Sequence, residues 1–129
     1  MCGIAGTWKP NDAVSRQLLL EMVSELVHRG PDGVGLFLDG DFGMAASRLA
    51  VVDLAGGDQP ISNEDGTLWV TQNGEIYNHP ELRRELEGLG HRFGTHCDTE
   101  VLVHGYEQFG VRELTSRLAG MFAFAMIVE

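Results

Sequence analysis

Cysteine stands second in the chain, so removal of Met1 would put a thiol and a free α-amine on one residue. A model α-amine has a pKa of about 7.7–8.0 and a free thiol about 8.5, so both exchange protons near neutrality. N-terminal nucleophiles use that amine as the general base that other enzymes borrow from a histidine. Taken alone, Met1-Cys2 is equally an accident of the second codon. Three further groups bear on the choice. Arg48 lies in an apolar run, Ala45-Ala46-Ser47-Arg48-Leu49-Ala50-Val51-Val52, where a guanidinium needs a partner because burying it unpaired is costly. A structural ion pair, with Asp53 for instance, is the plain reading; a bidentate clamp on a ligand carboxylate, which Arg suits better than Lys, is the other. Asn73-Gly74 has the composition of a two-residue hairpin turn. Such a turn also aims a carboxamide and a backbone N–H outward, as stabilisation of an oxyanion requires. Asp98 precedes a helix and by default is its N-cap.

The elements that must hold these groups are short. Gly3 to Trp8 reads as a first strand, and Ser15 to His28 as an amphipathic helix with Leu18, Leu19, Met22, Val23, Leu26 and Val27 on one side, ended by Gly30-Pro31. Strands follow at Val34–Leu38, Gly43–Ala50, Val51–Leu54 and Thr67–Gln72, the last running into Asn73-Gly74 with Ile76-Tyr77 beginning a return strand. Pro80 suits the first turn of a helix over Glu81–Glu87. Thr99–Phe109 and Arg112–Leu118 are further helices, and Met121–Val128 is an apolar run typical of a strand covered on both faces. Helices and antiparallel strands mix in one layered α+β domain.

Bulk properties narrow the partners. The chain has 129 residues, enough for one domain with a core of its own, and a formal charge of −10 with no basic block. Nucleic acid and anionic membranes are therefore poor partners. No apolar window would span a bilayer, and no charged leader with an apolar run marks a secretory signal. Cys2 and Cys97 are the only cysteines, and reduced thiols in a cytoplasmic protein suit so thin a set better than a disulfide framework.

Seven pieces then follow one another in order: Met1-Cys2-Gly3-Ile4, His28-Arg29-Gly30-Pro31-Asp32-Gly33, Arg48-Leu49-Ala50-Val51-Val52-Asp53, Gln59-Pro60-Ile61, Asn73-Gly74-Glu75-Ile76-Tyr77-Asn78, Asp98-Thr99-Glu100-Val101 and Leu118-Ala119-Gly120-Met121-Phe122-Ala123-Phe124. Together they closely resemble the N-terminal glutaminase domain of glutamine-hydrolysing asparagine synthetases, which are class II glutamine amidotransferases. The resemblance covers nearly the whole chain. It implies the Ntn-hydrolase fold, a four-layer αββα sandwich of two antiparallel sheets, with residues 1–129 the N-terminal portion of the glutaminase domain and its C-terminal part incomplete.

The implied reaction is hydrolysis of the L-glutamine side-chain amide to glutamate and ammonia. In the family a synthetase domain or subunit, absent from this chain, uses that ammonia with ATP and Mg to convert aspartate to asparagine. No cofactor or metal is expected in this chain itself. By resemblance Cys2 is the nucleophile, and Asn73 and Gly74 form the oxyanion hole. Arg48 takes the substrate carboxylate, Asp98 the ammonium with help from Glu75, and the backbone at Leu49, Val51 and Val52 lines the pocket. Arg29 and Asp32 are expected in mainly structural roles. His91, His96, Cys97 and His104 fit no standard zinc spacing. Ala46-Ser47 before Arg48 departs from a His-Arg pairing common in the family, and His96-Cys97 from its small polar residues. L-glutamine, a synthetase partner and a second copy of the chain are the expected partners. Two other readings stand beside this one: a truncated or degenerate module that binds glutamine or a partner without turnover, and a different N-terminal-nucleophile amidohydrolase.

Overall fold

The computed structural model describes residues 2–50 and 55–129, so the expectations placed on Met1, Val51, Val52 and Asp53 and the strand at 51–54 lie outside the described residues. Strand β1 (Gly3–Trp8) leads to helix α1 (Arg16–Ser24), whose N-cap Ser15 accepts a hydrogen bond from the Leu18 N–H at 3.0 Å. Strands β2 (Gly33–Asp39) and β3 (Phe42–Arg48) form a hairpin closed by Gly40-Asp41. Gly40 has φ +55°, a conformation the first central position of such a turn needs and glycine adopts freely. A two-residue strand β4 (Ile61–Ser62) precedes β5 (Leu68–Ile76). Helices α2 (His79–Gly88) and α3 (Glu100–Arg117) follow, α3 being broken at Gly110 (φ +73°), and β6 (Gly120–Val128) completes the described elements.

The strands make two antiparallel sheets, ordered β1-β3-β2 and β4-β5-β6. Helix α1 covers the outer face of the first sheet through Leu19 and Val23, which pack with Val14 and Ala45. Helices α2 and α3 cover the outer face of the second, where Leu82, Leu86, Val101, Leu102 and Leu114 meet Leu68, Val70 and Ile76. The inner faces stack on each other, with the rings of Phe37 and Trp69 4.3 Å apart across the gap. The result is the four-layer αββα arrangement expected from the sequence.

Two sequence readings are corrected. Asn73-Gly74 is not a hairpin turn: β5 runs straight through it to Ile76, pairing in register with β6, Asn73 opposite Ala123 and Gly74 opposite Phe122. The return partner comes from over forty residues later, and Tyr77-Asn78 turns instead into α2. Tertiary pairing overrides the local turn preference, and glycine is still required, because Gly74 has φ +125° and a Cβ there would lie 1.9 Å from the Met121 carbonyl oxygen. The second correction concerns 121–128. Among the described residues β6 has β5 as its only strand neighbour, and Met121 and Val128 are 61% and 53% exposed, so the strand is not covered on both faces.

Candidate active site

Alternation along the strands decides which side chains enter the space between the sheets. Gly3 and Ser47 face the turn that follows α1, since a Cβ on Gly3 would meet both Leu26 and the Ser47 hydroxyl, which itself donates to the Leu26 carbonyl. Their neighbours Cys2 and Arg48 therefore point the other way, toward the second sheet. Both line one cavity of about 320 Å³ with Leu49, Gly57, Gln59, Gly74, Glu75, Cys97, Asp98, Thr99 and Met121.

Cys2 is half-buried, and the Leu49 N–H donates to its sulfur at 3.3 Å, while the Arg29 guanidinium Nε donates to its carbonyl at 3.2 Å. The thiol in turn donates to the Leu49 carbonyl at 3.7 Å, so the backbone of Leu49 fixes the position of the sulfur. The glycine-proline loop before β2 props the end of β3: the Asp32 N–H donates to the Arg48 carbonyl and the Asp32 carboxylate accepts from the Ala50 N–H at 2.8 Å. Gly30 allows that loop to press on β3, as a Cβ there would come within 2.4 Å of the Ser47 carbonyl group.

Arg48 is buried and pairs with Asp58 at 2.9 Å. Asp58 sits on the surface with its side chain 90% exposed, so a water-accessible carboxylate holds a buried guanidinium. The ion pair expected for Arg48 thus exists with Asp58; the Asp53 alternative lies outside the described residues.

Asp98 is buried and does not cap α3, whose N-cap is Thr99. Its Oδ2 accepts instead from the Ile76 N–H at 2.9 Å and the Gln72 side-chain amide at 3.2 Å, and its Oδ1 from the Cys97 thiol at 3.5 Å. The N-cap reading fails because the free edge of β5 supplies stronger partners than the helix start. Tyr77 and Thr67 bound the ladder on the β6 side, the Tyr77 N–H donating to Ala119 and Thr67 accepting from the Glu129 N–H. Odd-numbered residues of β5 therefore bond to β6, and even-numbered amides face the opposite edge. The Gln72 N–H meets Gln59 Oε1 at 2.6 Å and the Ile76 N–H meets Asp98 on that edge. Gly74 lies between them, so its N–H is directed to the cavity that it lines.

Asn73 is placed differently from the expectation. It is absent from the cavity lining, and its side chain, on the inner face of β5, has a buried Oδ1 with no hydrogen-bond partner. Glu75 is exposed at the rim, where it also lines a smaller recess with Asp98. The structure thus brings Cys2, Arg48, Leu49, Gly74, Glu75 and Asp98 to one cavity, with Asn73 beside it and Val51 and Val52 outside the described residues.

Sequence reasoning missed part of the wall. Gln59 bridges Thr99 and the Gln72 amide, and Gly57 fills the space between Arg48 and Cys97, where a Cβ would lie 2.7 Å from the guanidinium and 3.1 Å from the sulfur. Cys97 is buried, and that burial pushes its thiol up despite hydrogen bonds from Thr99. The Gln59-Pro60-Ile61 motif carried the signal for Gln59; Gly57 left none beyond being a glycine near it.

Comparison with known proteins places this geometry. The family defined as "glutamine amidotransferase domain" matches residues 1–129. Asparagine synthetase [glutamine-hydrolyzing] 1 of Arabidopsis thaliana is 47% identical over 129 residues, covering 98% of this chain and 22% of that protein. The Bacillus subtilis protein of the same description is 44% identical over 128 residues, covering 96% of this chain and 20% of that one. The chain thus spans about a fifth of the length of the curated relatives it matches. Among solved structures, a glutamine phosphoribosylpyrophosphate amidotransferase from B. subtilis superimposes with a TM-score of 0.78 at 23% identity, over 99% of this chain and 35% of that one, which speaks to the fold. Residues 1–129 belong to the glutamine amidotransferase domain family.

Proposed function

We propose that the cavity binds free L-glutamine and hydrolyses its side-chain amide to glutamate and ammonia. The observation that carries this reading is the presence of a thiol, a buried guanidinium and a buried carboxylate on the wall of one cavity. Arg48 and Asp98 offer opposite charges to the α-carboxylate and α-ammonium of an amino acid, which a glutamine residue inside a peptide lacks. Exchange of the substrate carboxylate for Asp58 on Arg48 leaves Asp58 in water, at little cost for an exposed group.

The chemistry follows from Cys2. With Met1 removed, the α-amine takes the thiol proton, and sulfur attacks the amide carbon while the C=O π electrons move to oxygen. The oxyanion is met by the Gly74 N–H and, in this reading, by the Asn73 carboxamide reached from the inner face of β5. Collapse breaks the C–N bond, the α-ammonium protonates the leaving nitrogen, and ammonia departs from a thioester. Water then attacks the thioester, its proton passing to the amine and back to sulfur as glutamate leaves. Leu49, Val51, Val52 and Glu75 shape the pocket around these groups.

Ammonia made here is proposed to serve a synthetase domain or subunit that forms asparagine from aspartate with ATP and Mg, as the names of the relatives suggest. None of the described helices is long and apolar enough to cross a membrane, and both cysteines are free, which supports a reducing, cytoplasmic setting. Association of two copies belongs to the same reading and is tested by sedimentation.

The decisive experiment treats the purified chain with a diazo-ketone analogue of glutamine and records intact mass beside ammonia release. Loss of Met1, one adduct on Cys2 and glutamine-dependent ammonia are expected. Retained Met1, or no adduct and no turnover, sinks hydrolysis by this chain; glutamine binding without either supports the module that binds but does not turn over.

A further inference from the structure

Away from the cavity, three segments converge on a pair of histidines. His91 follows α2, His104 and Glu107 lie one turn apart on α3, and Glu64 lies in the turn between β4 and β5. The ligand atoms of His91, His104 and Glu107 fall within 4.8 Å of one another. His104 is almost fully buried, at 1% exposure, and its Nδ1 has no hydrogen-bond partner.

The outer contacts fix which nitrogen faces inward. His104 Nε2 donates to the Glu100 carboxylate at 3.2 Å, and His91 Nε2 to the Gln108 side-chain oxygen at 3.0 Å. In their neutral forms both rings therefore present the Nδ1 lone pair to the common centre, whereas in the protonated form, which the carboxylates around His104 favour, the same atoms carry N–H groups aimed at Glu107. Glu107 is oriented in the same manner: its Oε1 accepts from the Asn63 amide at 2.7 Å, leaving Oε2 toward the histidines. A histidine held by a carboxylate through its other nitrogen is the usual outer arrangement of a metal ligand.

The spacings fit as well. Each Nδ1 lies 3.5 Å from Glu107 Oε2, and His104 Nδ1 lies 3.8 Å from Glu64 Oε1. Two atoms bound at about 2.0–2.1 Å to one tetrahedral zinc ion stand about 3.4 Å apart. These distances are too long for good hydrogen bonds and close to the edge of that tetrahedron.

We propose that His91 Nδ1, His104 Nδ1 and Glu107 Oε2 form a three-ligand binding site for a borderline divalent cation of the Zn²⁺ class, its fourth place left to water. Two imidazoles and carboxylates suit zinc better than magnesium or calcium, which favour all-oxygen sets. The ion would tie the loop after α2 to α3, and none of its ligands lines the cavity. The sequence spacing His91…His104-x-x-Glu107 matches no familiar zinc pattern.

The test uses the full, untagged chain carrying Cys2→Ala, so that the N-terminal thiol and amine cannot chelate the probe. Zn²⁺ alone is titrated by calorimetry, and Co²⁺ alone by visible absorption. One equivalent with the intense d–d bands of tetrahedral Co²⁺ is expected. Affinity should fall at least about 10-fold in His91→Ala and in Glu107→Gln, whose side chains are partly exposed, and by about 10-fold in Gln108→Ala, which only orients His91. Absence of a bound equivalent, or unchanged affinity in both His91→Ala and Glu107→Gln, overturns the site; circular dichroism of each variant separates lost binding from lost folding. Failure of glutamine hydrolysis would leave this result standing, since no arm of the test reads turnover.

Discussion

The cavity and the histidine cluster both gather titratable side chains, yet they are built in opposite ways. In the cavity the polar groups face an open volume: Cys2, Arg48, Gly74 and Asp98 come from four separate segments and each is held from behind by backbone or by neighbours. In the cluster they face each other across 3.5–3.8 Å, and Glu100 is drawn into the same network. Burial raises the Glu100 carboxyl, but hydrogen bonds from His104, Thr95 and the Gly94 and Thr95 amides outweigh it and hold it at about 2. Open polar walls suit a molecule that enters and leaves; mutually facing ligands suit something small that stays.

That contrast can be broken or sharpened by substitution. The largest effect is expected from Cys2→Ala, which should lower glutamine-dependent ammonia release by on the order of 10⁴-fold or more, as loss of a nucleophile does. Next come Asp98→Asn and Arg48→Lys. Asp98→Asn leaves the substrate ammonium unmatched in a buried site, a loss of about 2–5 kcal/mol, so kcat/KM should drop by about 30-fold or more, while Arg48→Lys keeps the charge but gives up the two-point clamp and should cost less. Steady-state kinetics that show no change in either variant would remove the amino-acid reading of the cavity.

Gly74→Ala tests the wall rather than the charges. Overlap with the Met121 carbonyl and a positive φ should cost about 2 kcal/mol of stability, read from the urea midpoint. A midpoint equal to wild type would mean that β5 and β6 can part there. The smallest effect is a rate ratio: iodoacetamide at neutral pH should modify half-buried Cys2 about 10-fold faster than buried Cys97, whose thiol burial pushes up. Mass mapping that finds Cys97 modified first would reverse the roles of the two thiols.

Much of this was legible before any coordinates, and unevenly so. Helix α1 announced itself through Ser15 and its apolar stripe, α2 through Pro80, and the β2–β3 turn through the glycine and aspartate that separate those strands. Asn73-Gly74 misled, because hairpin preference is local while the pairing of β5 with β6 spans the whole helical segment between them. Asp98 misled for the same reason, its nearest helix end losing to a strand edge brought up by the fold. The cavity groups could be found because each sits in a short motif. The histidine cluster could not, since Glu64, His91 and His104 become neighbours only once α3 lies against the second sheet.

Gly57 has a consequence of another kind. Its missing side chain is the clearance between the Arg48 guanidinium and the Cys97 sulfur, and a single methyl group there would displace one of them. Alanine at that position is therefore a one-carbon blocker written into the gene. It would sit beside the guanidinium to which the proposed function assigns the substrate carboxylate, while Cys2 and the sheet that carries it stay untouched. A chain so altered would be a chemically competent thiol without a seat for its substrate, the form of inactive protein most useful for telling attack on sulfur reagents from turnover.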